Sequence, residues 1–184
     1  MKEPWTAYPH IWKTKAAFFS YIRGGIRRSL WNRAPQKIEY INKHRKRIKN
    51  PNPKGRVAEV WGGICALCGG EFPQNMLEVD HRVGNNSLKD FDDILPFILA
   101  ISCVSEDDLQ MVCKPCHKIK NLSESKGISF DEAFATKEAI KILKEKKDLT
   151  WLEERGIAPL RSQKARREQI VKQIIKERIN ESPE

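Results

Sequence analysis

Four cysteines stand in two C-x-x-C pairs, CALC (residues 65–68) and CKPC (residues 113–116), with 44 residues between the pairs. A two-residue spacer lets both sulfurs of a knuckle face one ion, and two knuckles complete a tetrahedral four-sulfur site of the kind zinc takes. The expected ligands of one structural zinc are therefore Cys65, Cys68, Cys113 and Cys116. Gly69 and Gly70 follow the first pair and suit its tight turn. Disulfides fit poorly, because the N-terminal MKEPWTAYPH contains no apolar stretch of a secretory signal. A redox function would need only one pair. The fifth cysteine, Cys103, adjoins the apolar run ILPFILAI (residues 94–101) and is expected to be a buried thiol rather than a fifth ligand.

Between the knuckles lies LEVDH (residues 77–81), a short apolar run that ends in an acid beside a histidine. His117 follows Cys116 directly, so a knuckle would fix its backbone. A bound zinc would draw the end of the first strand toward the helix of the second knuckle, and Asp80 and His81 toward His117. A carboxylate and an imidazole can hold a divalent cation, which leaves His81 to act as a base. Phosphodiester hydrolysis needs such a set: a proton acceptor for water, and a cation to relieve charge on the departing oxygen.

LEVDH and DDLQMVCKPCHKIKN (residues 107–121), with CALC as the paired knuckle, resemble the HNH endonucleases, the ββα-metal nuclease superfamily. The chain is most similar to the small zinc-stapled HNH proteins common in bacteriophage genomes. The resemblance covers about residues 57–125, and extends loosely to the arginine-rich N-terminal helix and the segment ending near Cys103. It implies that His81 is the general base and that Asp80 and His117 are ligands of a catalytic Mg²⁺ or Mn²⁺. Asp108 stands where the family has its middle asparagine, a side chain that braces the loop holding the base. Asn121, four residues after His117 and so on the same helix face, is an auxiliary ligand or a support. Lys118 and Lys120 are either phosphate contacts or solubilising lysines.

These groups need elements to position them. LEVDH and LQMVC (residues 109–113) read as short strands, and KPCHKIKNL begins a helix with Pro115 in a tolerated first-turn position. Residues 88–103 read as an inserted helix, with Pro96 in or near its first turns. Trp12, Ala16, Phe19, Ile22, Ile26 and Leu30 recur at helical spacing, with a bend expected at Gly24–Gly25. NKHRKRIKNPNPKGR (residues 42–56) reads as the end of a basic helix followed by a linker. Capping boxes are expected at Ser129 with Glu132 and at Thr150 with Glu153. A last helix carries Ile170, Val171, Ile174, Ile175 and Ile179 on one side, with Lys164, Arg166, Arg167, Lys172 and Lys176 on the other. The fold class expected is α+β: a ββα-metal core with a four-cysteine zinc site at residues 57–127, flanked by basic helical segments at 1–56 and 128–184.

Charge is unevenly spread. Residues 1–60 carry a net +12, residues 61–125 a net −5 and residues 126–184 a net +3. A cationic arm beside an acid-rich site suits a polyanion, and arginine suits phosphate. Arg23, Arg27, Arg28, Arg45, Lys46 and Arg47 are the expected DNA contacts; a solvated lysine-rich helix is the other reading of the arm. The C-terminal third is either a packing subdomain or a helical DNA clamp. No apolar run approaches the roughly 20 residues of a membrane span, and a cytoplasmic location is expected, in a host cell if the chain is phage-encoded. The resulting expectation is a metal-dependent endonuclease acting on duplex DNA, by nicking or by double-strand cleavage. The alternatives are a non-catalytic zinc-ribbon-like DNA-binding module and an accessory protein of a phage DNA-processing complex, with a packaging or host protein as partner.

Overall fold

A computed structural model describes residues 2–52, 54, 56–84 and 87–181. The chain divides into two compact units, Met1–Lys114 and Pro115–Glu184.

In the first unit, helix α1 (Pro4–Ala7) precedes α2 (Lys15–Ser29), which starts where the Thr14 hydroxyl accepts from the Ala17 N–H. Arg27 and Arg28 occupy the last turn of α2, where cations complement the helix dipole. The helix is continuous through Gly24–Gly25. A 3₁₀ turn (Trp31–Arg33) leads to α3 (Pro35–His44). Phe19 from α2 is buried with Leu88 and with Phe97 and Ile101 of α4 (Ile94–Ser102). Trp5, Phe18, Ile22, Ile26 and Trp31 close around them. Of the apolar stripe read from the sequence, Phe19, Ile22 and Ile26 face this core, whereas Ala16 and Leu30 are exposed; the inserted helix supplies the core's other half.

Two antiparallel sheets complete this unit. One orders β1 (Lys46–Lys49), β2 (Glu59–Ile64) and β3 (Glu71–Pro73). Of the cationic run 42–56, residues 42–44 end α3 as expected, whereas Lys46–Lys49 form a strand rather than helix end or linker, with Ile48 buried and Arg47 paired with Trp61. Pro53 and Gly55 of the expected linker lie outside the described residues. β2 carries Gly62 and Gly63 at its tightest point. A Cβ on Gly62 would strike the Phe72 carbonyl and the Ile48 side chain, and one on Gly63 the Met111 sulfur.

The second sheet is a hairpin of β4 (Leu77–His81) and β5 (Leu109–Cys113), paired from Leu77 with Cys113 to His81 with Leu109. Every residue of β5 is buried, which explains its almost continuous apolar sequence. Cys103 follows α4 and is exposed, contrary to the buried thiol expected: it sits at the helix C-cap, outside the helical stripe that faces the core.

Helix α5 (Lys114–Lys126) follows β5 without a loop, and nearly all of it belongs to the second unit. In that unit, α6 (Phe130–Lys144) begins with the expected capping box. The Glu132 N–H donates to the Ser129 hydroxyl (3.1 Å), and the Ser129 N–H donates to the Glu132 carboxylate (2.8 Å). Ala135 and Ala139 pack with Leu152, Ile170 and Ile174, joining α6 to α7 (Asp148–Glu153) and α8 (Gln163–Glu181). Thr150 is no cap: α7 begins at Asp148, whose carboxylate holds Arg166 at 2.5 Å. Arg166 accordingly leaves the basic solvent face assigned to it. Val171 and Ile175 join the core, whereas Ile179 is exposed. No helix among the described residues is long and apolar enough to cross a membrane.

Candidate functional site

The first knuckle folds as its glycines require. The Cys65 N–H donates to the Gly70 carbonyl (2.9 Å), and the Gly69 N–H to the Cys65 carbonyl (2.9 Å), with Gly69 at φ +68°. That left-handed conformation favours glycine. The Ala66 N–H donates to the Met111 carbonyl (2.8 Å), tying the knuckle to β5. Cys113 ends β5 and Cys116 lies in the first turn of α5. The sulfurs of Cys65, Cys68, Cys113 and Cys116 all lie within 4.8 Å of one another. Four thiolates around a tetrahedral zinc stand about 3.8 Å apart, given Zn–S bonds of about 2.3 Å. The four cysteines can therefore hold a metal ion such as zinc.

Burial pushes the Cys65 thiol up, but hydrogen bonds from the backbones of Cys113, Leu67 and Cys68 and from the Cys68 side chain outweigh it. Its pKa falls to about 7. A thiolate already held by hydrogen-bond donors forms readily, and its proton is released to solvent when a cation binds. Among the described residues this is the only group of three or more histidine, cysteine or carboxylate ligands gathered in one place.

Asp80 and His81 are half-buried at the end of the β4–β5 pair where the chain leaves β4. Asp80 pairs in register with Gln110, whose buried side chain donates to the His81 carbonyl at 3.4 Å. The next residue, Arg82, donates its N–H to the Asp108 carbonyl (2.8 Å). The His81 ring stacks on Trp31, with centroids 4.5 Å apart and 29° between planes. The Lys37 ammonium lies 5.0 Å from the same indole. Burial lowers the Lys37 pKa, opposed by Glu78.

Asp108 does not brace the His81 loop with its side chain, the role the resemblance implied. Its carboxylate caps the 3₁₀ turn Glu106–Asp108 by accepting from the Ser105 N–H (2.8 Å) and hydroxyl (2.7 Å), and the backbone does the bracing. The Ser105 hydrogen bonds hold the Asp108 carboxyl below its usual range, with a further contribution from His81.

The expected DNA contacts fall into two places. Burial lowers the Arg27 pKa, Arg23 lowers it further, and Asp80 raises it. Arg27 thus shares an electrostatic neighbourhood with Asp80, the acid of LEVDH. Arg27 also lies over the Phe97 ring at 5.8 Å. Arg28 is exposed in the same last turn. Arg45, Lys46 and Arg47 sit at the three-stranded sheet instead, where Lys46 pairs with Glu71 and Arg47 with Glu59. His117, half-buried, and Asn121, exposed, are one helical turn apart on α5.

Trp31 and Gln110 were not anticipated. Nothing local marks Trp31, which meets His81 from 50 positions away. Gln110 carried one signal, as the single polar residue inside LQMVC. Comparison with protein-family models, with curated proteins and with solved structures finds no match to this chain.

Proposed function

We propose that this protein is a metal-dependent DNA endonuclease of the HNH type. The observation that supports it best is the end of the β4–β5 hairpin. There an aspartate and a histidine lie side by side, the imidazole is held by an indole face, and Arg27 of α2 neighbours the acid. In this reading His81 takes a proton from the attacking water, as an imidazole can near neutrality. Asp80 and His117, with Asn121 as auxiliary, hold a divalent cation, a donor set of oxygen and nitrogen that suits Mg²⁺ or Mn²⁺. When bound, that cation supplies charge relief at the phosphate and at the departing oxygen. Arg23, Arg27 and Arg28 bind backbone phosphates and fix the duplex. The four-cysteine centre takes one structural zinc, joining β5 and α5 so that the helix carrying His117 starts from a fixed point.

A second reading is a zinc-ribbon-like DNA-binding module, or an accessory of a phage DNA-processing complex. It is favoured by the four cysteines being the only ligand group gathered among the described residues.

Incubation with supercoiled plasmid, with and without Mg²⁺ or Mn²⁺, tests the proposal. Nicked or linear product that depends on the metal is expected, with His81→Ala slowing it by roughly 10²–10⁴. Uncut plasmid that is nonetheless retarded in a gel supports the second reading and overturns the first.

A further inference from the structure

The three-stranded sheet carries an aromatic and basic surface that the proposed cleavage chemistry does not use. Trp61, on β2, remains 45% exposed although two guanidiniums lie over its ring. Arg45 is 4.4 Å from the ring centroid, and Arg47, its direct cross-strand partner, is 5.3 Å away. Arg47 is fixed by Glu59, with its Nε 3.5 Å from the carboxylate and its terminal amine donating to the Glu59 carbonyl at 3.1 Å. Arg45 has no ion-pair partner among the described residues and keeps its charge for a ligand. Lys49 continues the cationic line along β1.

Trp61 also borders a cleft of about 360 Å³, walled by Asn50, Asn52, Pro73, Gln74 and Asn75. That volume lies within the range of about 300–1,000 Å³ typical of small-ligand clefts. Asn50 and Asn52 brace their own loop, Asn50 donating to the Val57 carbonyl and both accepting from backbone N–H groups. Asn75 is exposed, and the Gln74 Oε1 is buried with no hydrogen-bond partner among the described residues.

We propose that this surface binds an unpaired nucleotide of a single-stranded segment. The base stacks on the exposed part of the Trp61 ring and presents its edge to the exposed amide of Asn75, and Arg45 meets the adjoining phosphate. A duplex offers an indole no free base face, whereas every unpaired base does. Phosphate charge answers the cationic strand. The inference goes beyond the cleavage reading and stands without it, since a binding module would carry the same surface.

The test measures fluorescence anisotropy of labelled single-stranded and duplex oligonucleotides of one sequence with the full-length protein at fixed salt. Trp61→Ala is expected to weaken single-strand binding roughly 10- to 100-fold, the effect of losing one stacked base. Duplex binding should be unchanged, and Trp61→Phe should keep most single-strand affinity. Arg45→Ala should flatten the salt dependence for the single strand. Metal content and circular dichroism of each variant report whether the sheet has folded. Equal losses on both oligonucleotides, or no loss for a folded Trp61→Ala, would overturn the proposal. So would wild-type protein that ignores the single strand. Plasmid cleavage by a folded Trp61→Ala protein is a separate readout, so this proposal and the nuclease reading can fail independently.

Discussion

The indole of Trp31 stacks on the imidazole of His81, with ring centroids 4.5 Å apart and 29° between planes. A stacked ring fixes the plane of the imidazole, and with it the direction of both nitrogens. In the nuclease reading Trp31 would position the proposed base rather than take part in the chemistry.

Trp31→Ala is expected to lower plasmid cleavage by about 10²-fold, the order of loss for a misplacement of about 1 Å. Trp31→Phe should restore most of the rate, because a smaller ring still offers a face. Single-turnover rates at saturating metal check this. An alanine variant that folds and cleaves at the wild-type rate would show that His81 holds its orientation without the stack.

Acid should strip the metal from the four-cysteine centre. Cys65, with its pKa near 7, supplies thiolate at neutral pH. As pH falls below that value, protons compete with the ion for sulfur, so affinity declines toward acid. Titration with a chromogenic zinc chelator should show retention at pH 7.5 and release on acidification. Cys116→Ser should release zinc at higher pH than the wild type does.

The Asp108 charge should influence the pH at which the proposed base becomes available. His81 helps hold the Asp108 carboxyl down, and by reciprocity the carboxylate favours the protonated imidazole. Removing that charge eases deprotonation, so Asp108→Asn should move the acid limb of the pH–rate profile to lower pH. Asparagine keeps an oxygen to accept from Ser105 and preserves the turn. Asp108→Ala loses both and should be the slower variant throughout. Superimposable profiles would remove Asp108 from the site.

The second unit should depend on one ion pair. Asp148 and Arg166 are largely buried, and Arg166 also donates to the carbonyls of Leu160 and Arg161. Asp148→Ala leaves a cation without its counter-charge and should destabilise this unit by roughly 3–5 kcal/mol. Replacing both partners with apolar residues should recover much of the loss. Urea denaturation followed by Trp151 fluorescence, with the other tryptophans replaced, reads it directly.

Much of the hairpin and knuckles was legible because their signals are local. C-x-x-C spacing, the glycines after Cys68, the alternation in LEVDH and the apolar run LQMVC all specify short segments. The Ser129–Glu132 box is equally local and appears as read. What escaped depends on distant partners. KRIK reads as a solvated helix end until Val60, Trp61 and Gly62 arrive to pair with it. Thr150 looks like a cap until Arg166 draws Asp148 into the first turn of α7. The stack on His81 joins residues 31 and 81, and no pattern within either neighbourhood announces it.

The two glycines of β2 look interchangeable in the sequence, but the chain cannot treat them alike over evolutionary time. At Gly62 the obstacle is the Phe72 carbonyl, a backbone atom committed to the neighbouring strand. At Gly63 the nearest obstacle is the Met111 sulfur, on a side chain with three rotatable bonds. Drift to alanine is open at position 63 and closed at 62, so among diverged copies of this chain the first glycine should persist where the second varies.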